Sequence, residues 1–327
     1  MNNLNKKAVA DILKENMSFI ILPHISPDAD AIGSCYAMKR ILEHMGKSAG
    51  VCVQESISEY LSFIPGEAVL YEQIPKDGKY DVCLCIDCGD IKRVDRRAEL
   101  FDRAKISVNV DHHYSNTNYA DVNFVDANAC SAGEICFGII KELEQEIDTE
   151  TAVCLYSAIC GDTGGFRYSN TTPATMRIAA ELLEKKIDSA KINRLLFDCE
   201  NFDTVRLKGE IGSRAELFFG GLIGTACVDK NMLEKYGVEP EEADNIVDIV
   251  RRIKGVEVAV SFKESDIGIK ISLRSNDRID VSKIAAKFGG GGHIRASGVL
   301  MKCGMDEAKK CIIKAITEEF EEQGKKI

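Results

Sequence analysis

The stretch Val82-Cys-Leu-Cys-Ile-Asp87 decides the class of fold that this sequence predicts. It is an apolar run of strand length that ends in an aspartate. An uninterrupted apolar run is typical of a strand that is buried on both faces, as in a parallel sheet covered by helices. Residues 19–22 and 106–110 are further strand candidates, and the apolar residues of 31–45 have helical spacing. The first half of the chain therefore predicts an α/β domain with a parallel sheet flanked by helices.

The second half of the chain predicts a smaller α/β domain. Residues 256–262 and 267–273 are strand candidates separated by four polar residues, a pattern that favours a β-hairpin. A helix over 279–288, a run of four glycines and a charged terminal helix follow. The segment between the two halves is polar and helix-favouring. The predicted boundaries are a first domain at residues 1–186, a helical linker at 187–213 and a second domain at 214–327.

The composition predicts a cytoplasmic protein without a membrane partner. The chain of 327 residues has no apolar run near the ~20 residues of a membrane helix, and its polar N-terminus lacks a signal peptide. Thirteen cysteines are scattered through apolar segments, which indicates reduced, buried thiols rather than a disulfide framework. The net charge of −10 excludes a broad basic face for long duplex DNA, so a nucleic-acid ligand must be short or held in one small basic cleft.

Acidic and imidazole side chains follow the predicted strands at the points where those strands end. In an open parallel sheet, the loops at the carboxyl ends of the strands meet in one crevice. Side chains from four separate segments are therefore expected to approach one another. They are His24, Asp28 and Asp30 after the first strand, Asp87, the tripeptide Asp111-His112-His113, and Asp162 after a helical segment.

This set of side chains predicts a metal centre. Several carboxylates in one partly dry crevice repel one another, and they stay ionised only if cations lie among them. Carboxylates with some imidazole suit Mn²⁺ or Mg²⁺ better than a thiolate-type zinc site. The ligands are too many for one ion, so we expect two ions about 3.5–4 Å apart that share a bridging carboxylate.

At these residues the sequence resembles the DHH phosphoesterase superfamily, which is named for the tripeptide found here as Asp111-His112-His113. The second half is similar to the associated DHHA1 domain, through Ser272-Leu-Arg274-Ser275 and the segment from Gly289 to Gly298. The resemblance covers nearly the whole chain and points to the NrnA-like branch of bifunctional oligoribonucleases and pAp phosphatases. It implies a DHH catalytic domain, and a DHHA1 substrate-binding domain with a mixed sheet.

The resemblance also implies a role for each residue of the predicted metal centre. Asp111 would orient a ligand histidine, and His113 would contact the scissile phosphate. Ala29 stands where glycine is commoner in this branch, a departure that leaves every ligand type intact. One manganese ion would be held by His24, Asp28 and Asp87, and the other by Asp30, Asp87, His112 and Asp162, with Asp87 as the bridge.

In the second domain the resemblance implies a binding site for the nucleotide or terminal phosphate of the substrate. Four glycines alone are typical of a flexible turn. Beside a histidine and an arginine, their backbone N–H groups can face a phosphate without side-chain obstruction. The implied substrate-binding residues are Arg274, Ser275, Gly291, Gly292, His293 and Arg295.

The implied reaction is hydrolysis of short RNA or nucleotide phosphates by a water molecule activated between two divalent ions. The ions would be Mn²⁺, with Mg²⁺ or Co²⁺ as alternatives, and the substrates dinucleotides, other very short RNAs and pAp. A phosphodiesterase for cyclic dinucleotides such as c-di-AMP, or for linear pApA or pGpG, is an alternative within the superfamily. A non-catalytic nucleotide-binding regulator is an alternative from another class, and the complete ligand set argues against it. The oligomeric state stays open, with a homodimer as one option.

Overall fold

A computed structural model describes residues 5–322 and 324 and divides the chain into two compact units, Met1–Cys199 and Glu200–Ile327. The first unit is built on a sheet of six parallel strands in the order β3-β2-β1-β4-β5-β6. The predicted α/β fold with a parallel sheet is confirmed. The strands are β1 (Ser18–Leu22), β2 (Ser48–Val53), β3 (Ala68–Leu70), β4 (Tyr80–Ile86), β5 (Ala104–Asp111) and β6 (Val122–Val125).

Both faces of this sheet are buried, which explains the continuous apolar runs. Successive side chains of a strand point to opposite faces. In β1, Phe19 and Ile21 belong to one apolar core, and Ile20 and Leu22 belong to another on the opposite face. The larger core also includes side chains of the helices. The smaller core contains four of the thirteen cysteines, and all thirteen are free thiols.

Polar side chains mark the starts of the helices in the first unit. Ser131 accepts a hydrogen bond from the backbone N–H of Glu134, and Thr172 accepts one from that of Thr175. Pro173 occupies the first helical position after Thr172, where its missing N–H costs nothing. The helices are α1 (Lys6–Glu15), α2 (Ala29–His44), α3 (Ala132–Glu142), α4 (Thr149–Asp162), α5 (Pro173–Glu184) and α6 (Ser189–Phe197).

The second unit contains a mixed six-stranded sheet in the order β11-β12-β10-β9-β8-β7. Strands β9 and β10 pair antiparallel, so the predicted hairpin is confirmed, whereas β8 and β9 pair parallel. The strands are β7 (Glu216–Phe218), β8 (Ile223–Val228), β9 (Val258–Ser265), β10 (Gly268–Ser275), β11 (Gly291–His293) and β12 (Ala296–Met301).

Apolar cores on the two faces of this second sheet are completed by helices. The predicted helix over 279–288 is shorter in the structure, because Asp280 caps its N-terminus through the backbone N–H of Ser282. The helices are α7 (Phe202–Ser213), α8 (Lys230–Tyr236), α9 (Val247–Arg251), α10 (Val281–Ala286) and α11 (Met305–Glu322). None of the helices in the described part of the chain is both long and apolar enough to cross a bilayer.

The segment predicted as a linker, residues 187–213, contains all of α6 and all of α7. Ile192 of α6 lies in the core of the first unit, whereas Leu207 and Ile211 of α7 lie in a core of the second. The division of the structure accordingly falls between these two helices, after Cys199.

Candidate metal centre

The strand order of the first unit creates a crevice at the carboxyl ends of β1 and β4. From β1 the chain continues toward β2 and β3 on one side, and from β4 toward β5 and β6 on the other. Such a reversal of strand order is where ligands bind in open α/β sheets. His24 lies just beyond β1, Asp87 follows β4 directly, and Asp111 is the last residue of β5. The sheet therefore brings three of the predicted segments to one edge.

The loop between β1 and α2 contributes His24 and Asp28. Asp28 caps α2, with its Oδ1 accepting from the backbone N–H of Asp30 at 3.0 Å and of Ala31 at 3.1 Å. Its Oδ2 lies 3.9 Å from His24 Nε2. His24 Nδ1 lies 2.6 Å from the carbonyl oxygen of Ile25 and 3.0 Å from Arg93 Nη2, and in the tautomer that donates to Ile25 the Nε2 atom has a free lone pair. Each residue thus keeps one ligand atom directed into the crevice.

Ala29 fits this loop without strain, because it is the first residue of a right-handed helix and needs no positive φ. The departure from the family pattern at this position therefore does not disturb the ligand loop. Gly161 on α4 faces it, and a Cβ there would lie 3.0 Å from the Ala29 Cβ. The alanine methyl is accommodated because residue 161 has no side chain.

Asp30 is a buried carboxylate at the N-terminus of α3. Its Oδ2 accepts from the backbone N–H of Ala132 at 2.7 Å, and its Oδ1 accepts from that of Gly133 at 2.9 Å. The Ser34 hydroxyl donates to Oδ1 as well, at 3.1 Å. Unpaired N–H groups at a helix N-terminus favour a negative charge, so α3 helps to hold Asp30 in place. Asp30 Oδ2 also lies 3.8 Å from His112 Nε2.

Asp87 lies at the centre of the cluster, and its two carboxylate oxygens face different imidazoles. Oδ2 is 3.7 Å from His24 Nε2, and Oδ1 is 3.4 Å from His112 Nε2. Its backbone has φ +58°, a left-handed conformation that aspartate tolerates better than most residues. Among the described residues, the buried Oδ1 has no hydrogen-bond partner. Because such an orphaned carboxylate oxygen is costly, a bound cation fits this position.

His112 connects Asp87 to the two remaining carboxylates. Its Nε2 lies 3.5 Å from Asp162 Oδ2, and Asp162 is the last residue of α4. Three groups of potential ligands have their ligand atoms within 4.8 Å of one another. The structure thus brings all six predicted metal ligands together. The groups are His24, Asp28 and Asp87; Asp30, His112 and Asp162; and Asp87, His112 and His113.

The pKa values in this cluster indicate a shortage of positive charge. Burial and the charges of Asp87 and Asp162 raise the pKa of Asp30 well above its usual range. Burial, with Asp28 and Asp87, raises the pKa of Asp162 to about 7 even though His112 opposes the change. Burial acts to lower the pKa of His112, but the neighbouring carboxylates outweigh it and raise that pKa well above its usual value. Divalent cations would supply the missing charge.

His113 is held by Asp111 rather than by the ligand carboxylates. Its Nδ1 lies 2.7 Å from Asp111 Oδ1 and 3.6 Å from Asp87 Oδ1. Because Nδ1 is engaged with the fully buried Asp111, the Nε2 edge of the ring is the one left for a ligand. Burial opposes a charged imidazole, but the bond to Asp111 raises the pKa of His113 above its usual value. His113 is therefore suited to donate a hydrogen bond to an anion.

Asn116 and Asn109 support this pair, and the sequence motifs did not reveal them. Asn116 Nδ2 donates to Asp111 Oδ2 at 2.5 Å and to Asn109 Oδ1 at 2.8 Å. Asn109 Nδ2 lies 3.2 Å from the carbonyl oxygen of Cys88, the residue after Asp87. These amides link the turn that contains Asp87 to Asp111. The only feature of the sequence that points to these two asparagines is their closeness to the histidine pair.

The predicted substrate-binding residues of the second unit lie at one end of three neighbouring strands. Ser275 N donates to the carbonyl oxygen of Arg295 at 3.0 Å, and Arg295 Nη1 lies 3.0 Å from Ser275 Oγ. Ser275 is only 5% exposed, and its hydroxyl also donates to Glu257 Oε1. This buried hydroxyl therefore orients the Arg295 guanidinium that donates to it. Arg274 pairs with Ala296 in the sheet, and His293 pairs with the same residue from the other side.

The glycine run is shaped by close backbone approach. Gly292 has φ +141°, and a Cβ there would lie 2.5 Å from the carbonyl oxygen of Ala296. Gly291 is exposed and has open space around it.

Glu257, which the sequence motifs did not reveal, organises the loop that follows β10. Its Oε1 accepts from the backbone N–H of Arg278 at 2.5 Å and of Ile279 at 3.0 Å.

Comparison with known proteins assigns both units to families. Residues 18–159 match the DHH family, N-terminal domain, and residues 222–322 match the DHHA1 domain. The bifunctional oligoribonuclease and PAP phosphatase NrnA of Thermus thermophilus is 32% identical over 97% of this chain and 95% of that protein. The Bacillus subtilis protein of the same name is 29% identical over 86% of this chain and 88% of its own length.

A solved structure has the same overall architecture. The crystal structure of an exopolyphosphatase-related protein from Bacteroides fragilis aligns with a TM-score of 0.89 and 27% identity, covering 96% of this chain and 95% of that one. Fold, site and relatives define a hydrolase that acts on phosphoester bonds. More particularly, the chain belongs to the DHH family and has a DHHA1 domain in its second half.

Proposed function

We propose that this chain hydrolyses very short oligoribonucleotides, dinucleotides among them, to mononucleotides, and that it removes the 3′-phosphate of pAp. The relatives named bifunctional oligoribonuclease and PAP phosphatase support both substrate classes. The proposed cofactors are two divalent metal ions, Mn²⁺ in preference to Mg²⁺ or Co²⁺. The thirteen free thiols favour a reducing compartment, and we place the enzyme in the cytoplasm.

The two-sided environment of Asp87 is the observation on which the two-metal proposal depends. Its oxygens face His24 on one side and His112 on the other, at 3.7 and 3.4 Å. A carboxylate placed in this way can join two ions, as in enzymes that transfer phosphoryl groups with a metal pair. The proposed ligands are His24, Asp28 and Asp87 for one ion, and Asp30, Asp87, His112 and Asp162 for the other.

Hydrolysis then depends on what the neighbouring residues do. When bound, two such ions supply Lewis acidity at the phosphoryl oxygens and activate water for attack. In this proposal His113 donates from Nε2 to a phosphoryl oxygen, because Asp111 holds Nδ1 at 2.7 Å and raises the pKa of the imidazole above its usual value. The bond to His113 lowers the pKa of Asp111 although its burial acts in the opposite direction, so this partner stays ionised at neutral pH.

The second unit contributes recognition of the substrate in this proposal. Arg274, His293 and Arg295 are the proposed partners of the nucleotide or its terminal phosphate, with the exposed backbone of Gly291 and Gly292. An arginine held by a buried serine is already oriented, which lowers the entropy cost of binding an anion. The contacts of Arg295 with Ser275 support this role.

The proposal is tested by turnover of defined substrates. Purified protein with Mn²⁺ is incubated separately with ApA, pAp, a five-nucleotide RNA, pApA and c-di-AMP. We expect rapid release of mononucleotide from ApA and of AMP from pAp. Preferential turnover of c-di-AMP or pApA would instead identify the alternative phosphodiesterase, and binding of these ligands without any product would identify a regulator.

Asp87→Asn provides the matched variant for the same assay. It keeps the shape of the side chain but removes the bridging charge, so we expect turnover to fall by about 1,000-fold or more, with loss of bound metal. The control is Asp11→Asn, the same chemical change at an exposed position of α1, which should leave both unchanged. Bound manganese is counted by elemental analysis. Full activity of the Asp87→Asn variant would contradict the assigned centre.

A further inference from the structure

Tyr114 is a large aromatic side chain directly after His113, and it is 89% exposed. Neighbouring Cα atoms are about 3.8 Å apart. The Cα atom of Tyr114 is therefore about that far from the Cα atom of His113, whose imidazole we propose contacts phosphate. Within the described residues it forms no hydrogen bond or ring contact. Single exposed aromatic residues are common, so exposure alone does not identify a role. The position and the local backbone of Tyr114 are what distinguish it.

The backbone that carries Tyr114 is fixed to the metal centre. The backbone N–H of Asn116 donates to the carbonyl oxygen of His113 at 3.1 Å, which makes Tyr114 the first corner residue of a tight turn. The Asn116 side chain anchors the turn to Asp111. The next residue, Thr117, donates from its backbone N–H to the carbonyl oxygen of Gly89 at 2.9 Å. The turn therefore presents an exposed ring from a rigid support.

An aromatic ring beside the metal centre could bind the base of a nucleotide substrate. A nucleotide offers a phosphate and a flat base, and the metal centre can hold only the phosphate. Single-stranded nucleic acids are commonly recognised by stacking of bases on aromatic side chains, a contact that any base can make. Tyrosine has few side-chain torsions to fix, so such a contact costs little entropy.

We propose that Tyr114 is the stacking platform for the nucleobase beside the scissile phosphate, an inference that rests on the proposed function of the metal centre. The stacked base lowers KM, and the reaction at phosphorus is unaffected because the ring touches no reacting atom. Bases of all four kinds are accepted.

Equilibrium binding separates recognition of the base from recognition of the phosphate. The protein with Mn²⁺ is titrated calorimetrically with AMP and with ribose 5-phosphate, which has the phosphate and sugar but no base. Tyr114→Ala should raise the Kd for AMP by about 5- to 100-fold, the usual effect of losing one stacked base. The Kd for ribose 5-phosphate should stay within about twofold, and Tyr114→Phe should retain the affinity for AMP.

The matched control is Met17→Ala, which removes another large exposed side chain, 57% exposed. Met17 directly precedes β1, at the end of that strand away from the metal centre. It should change neither Kd. In turnover of ApA, Tyr114→Ala should raise KM and leave kcat within about twofold. Equal losses for AMP and ribose 5-phosphate, an unchanged Kd for AMP, or wild-type protein that binds both ligands equally would overturn the inference. Failure of the proposed function differs from these results, because wild-type protein would then release no product from ApA or pAp.

Discussion

Asp87 shows how backbone and side chain combine in one residue of the candidate site. Its left-handed backbone turns the chain sharply after β4, and its buried carboxylate then lies between His24 and His112. Residues in sparsely populated backbone regions persist only where the surroundings hold them, and they are common at functional sites. Here the surroundings include Asn109, whose amide lies 3.3 and 3.2 Å from the carbonyl oxygens of Cys85 and Cys88.

At the same scale, Asn116 is expected to be a positioning residue for His113. Asn116→Ala removes the donor to Asp111 and frees the Asp111–His113 pair to move, so kcat should fall by about 10- to 100-fold. Bound metal should be unchanged, because Asn116 contacts none of the proposed ligands. The measurements are steady-state kinetics and metal content, with Ser115→Ala, at an exposed position of the same turn, as a neighbouring control. Loss of metal in Asn116→Ala would show that its role is general folding of the loop.

Residue types and their positions after strands were sufficient to predict which acidic and imidazole groups meet. Sequence position did not reveal Asn109, Asn116 or Glu257, because their importance comes from hydrogen bonds to partners brought close by folding. Asparagine near a turn is usually a local backbone partner, so nothing in the sequence separates such residues from ordinary turn formers. The role of each predicted site residue stays a prediction until the variants are measured.

At the scale of elements, α4 connects the stability of the first unit to the candidate site. It begins at its capping residue, Asp148, and ends at Asp162. The helix lies close against α2, where a Cβ on Gly33 would be only 2.4 Å from the carbonyl oxygen of Cys154. A side chain at residue 33 would push the two helices apart, and these helices hold Asp30 and Asp162.

The cap of α4 leads to a prediction about pH. Asp148 accepts from the backbone N–H of Thr151 and pairs with Arg40 at 2.9 Å. Burial opposes the ionised carboxylate, but these partners lower the pKa of Asp148 to about 2. Because the folded pKa lies below the unfolded value of about 3.9, the stabilisation is present above pH 4 and is lost as the pH falls toward 2.

Asp148→Asn keeps a capping oxygen but removes the charge, so it isolates this effect. The difference in melting temperature between wild type and variant should be largest at pH 5–7 and should shrink as the pH falls through 4 and 3. Thermal unfolding followed by circular dichroism gives this difference directly. The exposed Asp11→Asn variant should show no such trend. A difference that grows toward acid pH would contradict the assigned sign.

Elements with strong apolar runs were predictable, whereas short or peripheral elements were not. Strands β1, β4 and β5 are long runs buried in the centre of the sheet. Strand β3, Ala68–Leu70, has only three residues at the sheet edge, too few for a pattern to be distinguishable from a loop. The end of α10 was also missed, because the sequence shows no helix-stopping residue between Ala286, where the helix ends, and Gly289.

At the scale of the whole molecule, the family defines a phosphoester hydrolase, and each unit has its own apolar cores. The chemistry is proposed for the first unit and phosphate recognition for the second. The sequence predicts two domains from a change between buried strand runs and a hairpin pattern, and the predicted boundaries stay a prediction. Helices α6 and α7 have similar polar compositions, and in the structure they contact different apolar cores.

The central claim is that Asp87 joins two divalent ions in one cluster. Crystals of the protein grown with Mn²⁺ and measured at the manganese absorption edge would locate the ions by anomalous scattering. We predict two peaks about 3.5–4 Å apart on either side of Asp87, one beside His24 and Asp28 and the other among Asp30, His112 and Asp162. A single peak at full occupancy, or peaks not in contact with Asp87, would contradict the claim.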